Sequence, residues 1–257
     1  MNKRIVAFSV FGSDPMYLDG AVRNAVLVAS VYPGWSARFY VSEEIPTDCI
    51  DRLLDSGAEV VSRKRVGLID GMFWRFLPVS ERDVDAVVMR DVDSRLTHRE
   101  FAAVEEWIES GFSLHIMRDH PQHKVPILGG MWGCRGGRIT DMDRQVAAWG
   151  LWAKKGQDQD FLRDVIYPRF RYDCMVHSEF YQYAGESVRP FPISRDGGEF
   201  VGCVYDADRD SLTTEQDEAN LVQLSGCTLR RLPRARRQPK FYLLAEQWVR
   251  NLRRRVA

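Results

Sequence analysis

Residues 85–93 read DAVVMRDVD, an apolar run that stops at two acids one residue apart. Its β-branched centre reads as a buried strand. Behind it Thr97 caps a helix whose apolar Phe101, Val104, Trp107 and Ile108 recur at three-to-four spacing until Gly111 ends it. A strand that finishes in acids and passes into a helix puts those acids at a carboxyl end of an open α/β sheet, where ligands bind. In extended backbone Asp91 and Asp93 face the same side, roughly 6.6 Å apart at two rises. They repel by roughly 2–3 kcal/mol at an effective dielectric of 20, a cost that a divalent cation reverses. Oxygen ligands suit Mg2+ or Mn2+, and an added imidazole favours Mn2+. A solvated surface turn could carry the same two acids, so the neighbours must decide.

Upstream, residues 4–11 (RIVAFSVF) form a first strand, and the Gly12-Ser13-Asp14-Pro15 break leads to a helix capped by Asp19 that runs to about Tyr32. A strand over 36–42, a helix over 46–56 and a short strand over 58–62 follow. Residues 72–77 are a short aromatic helix or turn, whose Phe73, Trp74 and Phe76 belong to the core. Downstream, 113–117 and 129–134 are strands, and 140–152 is helical. This alternation implies a mostly parallel sheet covered on both faces. After about residue 170 the pattern turns irregular. No repeat or linker divides the chain, so the expectation is one domain over 1–229 with a basic extension over 230–257.

The 257 residues, 45% apolar and 11% aromatic, suffice for a buried core and argue against disorder. The stretch after Met1 is too short for a membrane span and has no cleavage site, so it reads as a strand. The five cysteines form no CxxC pair, which disfavours zinc-ribbon and thioredoxin-like chemistry and fits reduced thiols in the cytoplasm. A formal net charge of zero conceals an arginine-rich tail from Arg230, with Glu246 its one acid. Apolar residues at 241, 244, 245, 248, 249 and 252 keep helical spacing among those arginines. Either an interfacial helix on an anionic membrane face or a helix packed on the domain has this pattern.

The segment VVMRDVDSRL resembles the metal-binding DxD segment of GT-A glycosyltransferases. Further stretches agree in the order those enzymes use. PILGGMWG (126–133) is similar to their Gly-rich acceptor-side strand, QDQDFL (157–162) to the acidic helix start that follows, and His177 stands where many place a third metal ligand. The resemblance spans roughly residues 4–200. It implies a GT-A, Rossmann-like nucleotide-diphospho-sugar transferase fold and a hexosyltransferase using a nucleotide-sugar, with UDP the expected nucleotide and Mn2+ (or Mg2+) the cofactor. Small transferases of bacterial polysaccharide clusters look similar, which implies a glycan or lipid-linked acceptor and a cytoplasmic enzyme, peripheral on the inner membrane face if the tail binds lipid.

On that resemblance Asp93 ligates the metal directly. Asp91 binds it, directly or through water, or contacts the ribose, and His177 completes the set. Arg75 and Arg90 contact phosphate. Phe8, Val10, Phe11 and Gly12 line the nucleotide pocket, and Gly129 and Gly130 let a sugar approach the backbone. Asp158 and Asp160 supply a base if the enzyme inverts configuration, or bind donor hydroxyls if it retains it; plain helix caps have the same sequence. His115 is expected in the core, and His120 and His123 in a loop that either closes over the site or is solvated. Residues 191–192 and 200–202 are expected to pack near the nucleotide.

Three rivals use parts of this pattern. A haloacid-dehalogenase-type phosphotransferase places DxD after the first strand, not at residue 91. A nucleotidyltransferase calls for a basic Gly-rich loop where Asp14 stands. A basic-tailed module binding nucleotide or nucleic acid without catalysis accounts for the tail but not for the acids, and no nucleic-acid partner is expected.

Overall fold

A computed structural model describes residues 3–150, 156–205, 211–225 and 229–233. Its strands in chain order are β1 (Lys3–Val10), β2 (Ser36–Ser42), β3 (Glu59–Arg63), β4 (Val84–Met89), β5 (Leu114–Arg118), β6 (Trp132–Arg135), β7 (Cys174–Ser178), β8 (Tyr181–Tyr183), β9 (Ser187–Arg189) and β10 (Arg230–Leu232). Eight of them form one sheet in the order β3-β2-β1-β4-β6-β5-β7-β9. Every neighbouring pair in it is parallel except those made by β6, which runs antiparallel to both β4 and β5. The fold is therefore α/β with a mostly parallel central sheet.

Alternation along β1 divides the interior. Ile5 and Ala7 join one core with Phe73, Phe76, Trp132 and Phe161, while Val6, Phe8 and Val10 join the other. Helices α1 (Pro15–Val31), α2 (Thr47–Asp55) and α3 (His98–Ser110) cover the second face. The first face is covered by a 3-10 helix (Asp70–Ser80), α4 (Met142–Trp149), and the continuous run of α5 (Gln157–Phe161), a π turn (Leu162–Ile166) and α6 (Tyr167–Phe170). A last helix, α7 (Thr214–Leu224), has a full capping box between Thr213 and Gln216. Both faces of β1, β2 and β4 are buried, which is why they read as unbroken apolar runs rather than alternating ones.

Local chemistry moves three boundaries. Helix α1 starts at Pro15, not after Asp19: Asp14 is the cap, its carboxylate accepting from the Met16 N–H, and proline suits the first helical position. β6 begins at Trp132, so Gly129 and Gly130 precede the strand. β10, the first piece of the arginine-rich extension, pairs in parallel with β8, so residues on either side of position 229 share a small sheet. The amphipathic stretch over 241–252 lies outside the described residues. Among the described residues no helix is long and apolar enough to cross a membrane.

Candidate functional site

The carboxyl ends of β1 and β4 open into a cleft. Ser9 of β1 and Phe11 just beyond it, Tyr17 from α1, Asp91 and Asp93 beyond β4, and Met72 and Arg75 of the 3-10 helix line it. Its cavity measures ≈ 230 Å³. Beyond the end of β4 the chain turns at Val92 and Asp93; Val92 packs on the core below, and Asp91 and Asp93 both line the cleft.

Three contacts build the loop that carries these acids. Asn24, fully buried in α1, donates from Nδ2 to the carbonyls of Ser94 (2.8 Å) and Val92 (3.2 Å) and accepts at Oδ1 from the Leu96 N–H (3.3 Å). One turn earlier Gly20 has no room for a side chain, because a Cβ would overlap the Val92 carbonyl. From the other side the Tyr205 N–H donates to the Asp93 carbonyl (2.9 Å). Segment 200–205 thus packs along the acidic loop. Val201 is tied in turn through its N–H to Asp119 (2.9 Å), a buried carboxylate that also accepts two hydrogen bonds from Arg99.

Arg75 is the other centre. Its guanidinium is buried and pairs with Asp91 through Nη1 and with Asp158 Oδ2 through Nη2 (3.1 Å). Its backbone N–H donates to Ser9 Oγ (3.1 Å). Burial alone would lower the Arg75 pKa, but Asp91 and Asp158 hold it above the ordinary arginine value. Asp158 is driven the other way: burial raises its carboxyl pKa despite Arg75, and its Oδ1 is enclosed without a hydrogen-bond partner. Gly130 and Gly129 pack directly on these two acids. A Cβ on Gly130 would overlap the Asp91 carboxylate, and one on Gly129 would overlap Asp158 Oδ2 and crowd Arg75. The Tyr17 hydroxyl is raised by burial first and then by the charges of Asp93, Asp14 and Asp91, which puts it beside the acidic pair. Phe11 forms an apolar wall, meeting Trp74 edge-on (centroids 6.3 Å) under the Arg65 guanidinium (5.5 Å).

Other expected residues lie elsewhere. His177 is fully buried on β7. Its Nδ1 lies 2.8 Å from His115 Nε2 and its Nε2 3.1 Å from Glu106, so both ring nitrogens are engaged. Three strands separate β7 from β1, with β4 the far neighbour of β6 and β5, and His177 is no ligand partner of Asp91 and Asp93 here. Arg90 points to the opposite face, pairing with Glu100 (2.8 Å) and with the Tyr32 hydroxyl (3.0 Å). Phe8 and Val10 belong to the same opposite core, Phe8 stacked on Phe39 at 4.7 Å, while Ser9 and Phe11 face the cleft. Gly12 sits at the rim, with φ +86° and its N–H donating to Glu44 (3.2 Å). Asp160, two residues and about 200° around a helix from Asp158, pairs with Arg163 (2.6 Å) instead.

His120 and His123 are not solvated: His120 stacks on Phe200 at 4.3 Å, and His123 Nδ1 accepts from the Asp119 N–H (3.1 Å). Phe73, Trp74, Phe76 and His115 are buried as expected. Sequence reading missed Ser9, Tyr17, Gly20 and Asn24. Asn24 did carry a signal, an amide on the apolar stripe of Ala21, Ala25 and Val28, where a polar group must have buried partners.

The donor set suits a hard divalent cation that keeps water or ligand oxygens. It offers two carboxylates lining one cleft for an anionic ligand, without an imidazole. Among the described residues no group of three or more His, Cys, Asp or Glu side chains forms a complete protein cage.

No family model and no curated protein matches the sequence. Among solved structures the chain is similar to glucosyl-3-phosphoglycerate synthase from Mycobacterium tuberculosis in complex with Mg2+ and uridine diphosphate, at 16% identity and TM-score 0.45, covering 69% of each chain. It is also similar to 4-diphosphocytidyl-2C-methyl-D-erythritol synthase from Anaerococcus prevotii, at 8% identity and TM-score 0.47 over 87% of this chain and 98% of that one. A third is mannosyl-3-phosphoglycerate synthase from Rubrobacter xylanophilus, at 14% identity and TM-score 0.38 over 52% and 54%. Likeness at this level is one of chain path.

Proposed function

We propose that this chain is a metal-dependent glycosyltransferase that moves a hexose from a nucleotide-sugar, with UDP the expected nucleotide, to a glycan or lipid-linked acceptor. The observation that carries the reading is that Asp91 and Asp93 line one cleft at the carboxyl ends of β1 and β4, with Arg75 paired to Asp91 there. Asp91 and Asp93 would hold Mg2+ or Mn2+. The preference for Mn2+ rested on an imidazole, and His177 lies elsewhere, so either ion suits the remaining oxygens. A cation bound there supplies Lewis-acid neutralisation of the charge that develops on a departing diphosphate.

The chain's own residues do the rest. Arg75 offers a charge-assisted contact to phosphate oxygens, and Phe11 gives the base an apolar face. Gly129 and Gly130 have no side chains, which lets Asp158 and Asp91 pack against their backbone and keeps both acids in place. Asp158 keeps one carboxylate oxygen without a partner and a raised pKa, both suited to a proton or hydroxyl contact. In an inverting reaction it takes the acceptor proton; in a retaining one it binds a donor hydroxyl. We place the enzyme in the cytoplasm, in surface polysaccharide synthesis, with the arginine-rich tail from Arg230 resting on an anionic membrane. Sedimentation of the full chain with phosphatidylglycerol vesicles but not with phosphatidylcholine ones is the outcome expected for the tail.

Calorimetric titration of UDP with Mn2+, with Mg2+ and with excess chelator, on wild type and Asp93→Ala, tests the donor site. Cation-dependent binding that weakens at least about tenfold in the variant is expected. Absence of cation-dependent binding for UDP, GDP, CDP and TDP alike sinks the transferase reading.

A further inference from the structure

Arg75 stands where a cation and a diphosphate would each have a claim. Its guanidinium occupies one Asp91 oxygen and reaches Asp158 Oδ2 (3.1 Å) with the other arm, while the second Asp91 oxygen lies against the Cα side of Gly130. One oxygen of Asp91 is therefore taken by Arg75 before any cation arrives, and the other is confined by Gly130. The guanidinium is buried, and the charges that hold it are Asp91, Asp158 and Asp93. It neutralises part of the cluster that would otherwise attract a cation unaided. A nucleotide diphosphate changes this balance, because its oxygens give Arg75 the bidentate partner that an arginine fork fits best.

We propose that Arg75 is a conditional counter-ion: it keeps the cation site weak in the free protein and yields Asp91 when a nucleoside diphosphate draws the guanidinium away. Cation and nucleotide then bind with positive coupling, each raising the affinity of the other by the same factor. The inference rests on the donor-site reading above and adds the order of events within it. A role for Arg75 in local packing alone would have a different signature, since its removal would weaken both ligands.

Free Mn2+ binding is measured by electron paramagnetic resonance without nucleotide, and UDP binding by calorimetry without cation. The proteins are wild type, Arg75→Gln, Arg75→Lys and the double variant Arg75→Gln/Asp158→Asn, which leaves no buried charge unpaired if the single change unfolds the site. Wild type should bind free Mn2+ weakly. The two variants with glutamine should bind it at least about tenfold tighter and UDP alone more weakly, while Arg75→Lys, still charged, stays near wild type for Mn2+. Unchanged or weaker Mn2+ binding in both glutamine variants overturns the proposal. Wild type that fails to bind Mn2+ even with UDP present condemns the donor site itself, so the two failures are distinguishable.

Discussion

Replacing Asn24 by Ala removes the one side chain that ties three groups of the acidic loop to α1. Three hydrogen bonds go, to the Val92 and Ser94 carbonyls and from the Leu96 N–H. Each is worth about 0.5–1.5 kcal/mol net, so their sum is roughly 3 kcal/mol. The position is fully buried, and any group left without a partner adds its own desolvation cost. Urea unfolding followed by tryptophan fluorescence reads this loss directly, at pH 7.5 and fixed salt. Calorimetry on the folded protein at low temperature reads the second consequence. With the Val92 and Ser94 carbonyls released, Asp91 and Asp93 no longer hold a common orientation, and cation-dependent UDP binding should weaken at least about tenfold. A loss below about 1 kcal/mol with binding unchanged would refute the view that Asn24 positions the loop.

Gly130→Ala puts a methyl group into the Asp91 carboxylate; calorimetry should show cation-dependent UDP binding weakened by at least about tenfold, and unchanged binding counts against Gly130 as the wall of the site. His115 and His177 are both fully buried, and burial first of all depresses both imidazole pKa values below the ordinary one. Their contribution is therefore complete above about pH 6.5 and is lost as pH falls below it, by up to about 1.4 kcal/mol per histidine per pH unit. Urea midpoints between pH 7.5 and 5.5 should fall and the fall should lessen in His177→Gln; a flat wild-type profile refutes the assignment. Glu186, whose buried carboxylate accepts from both Arg118 nitrogens (2.6 and 2.9 Å) and from the Tyr167 hydroxyl (2.7 Å), fixes β8 to β5. Glu186→Gln leaves Arg118 buried without its counter-charge and should cost about 3–5 kcal/mol in urea unfolding.

The parallel half of the fold was legible because β1, β2 and β4 are buried on both faces and each helix carries its own stop. Thr97 and Gly111 bracket α3 as the residues themselves say, the glycine at φ +77°. That Asp91 and Asp93 stand at a carboxyl end of the sheet was legible too, although the chain turns at Val92 and Asp93 rather than running extended through them. Alternation applied to β1 would have chosen Ser9 and Phe11 over Phe8 and Val10. Arg90 and His177 misled for another reason. Both are chemically suited to phosphate or metal, and only the fold reveals that each is spent on a carboxylate partner, buried Glu100 in one case and half-buried Glu106 in the other. The Arg75–Asp158 contact spans 83 positions along the chain, and no local pattern announces a pairing at that separation.

The reversed direction of β6 has a consequence for how such a molecule can change. Its parallel neighbours bring their ends to the cleft, whereas β6 brings its beginning, so the chain between β5 and β6 arrives at the site already committed to both. The pairing of the two strands runs from Leu114 and Cys134 to the Met117 N–H on the Met131 carbonyl (3.0 Å), and Gly129 and Gly130 just before it stay fixed against Asp158 and Asp91. On the proposed reading, β1 and β4 would carry the donor side, and a change of acceptor would fall on the turn between β5 and β6. The seam between β4 and β6 is where the two directions meet, with Gly130 lying against Asp91.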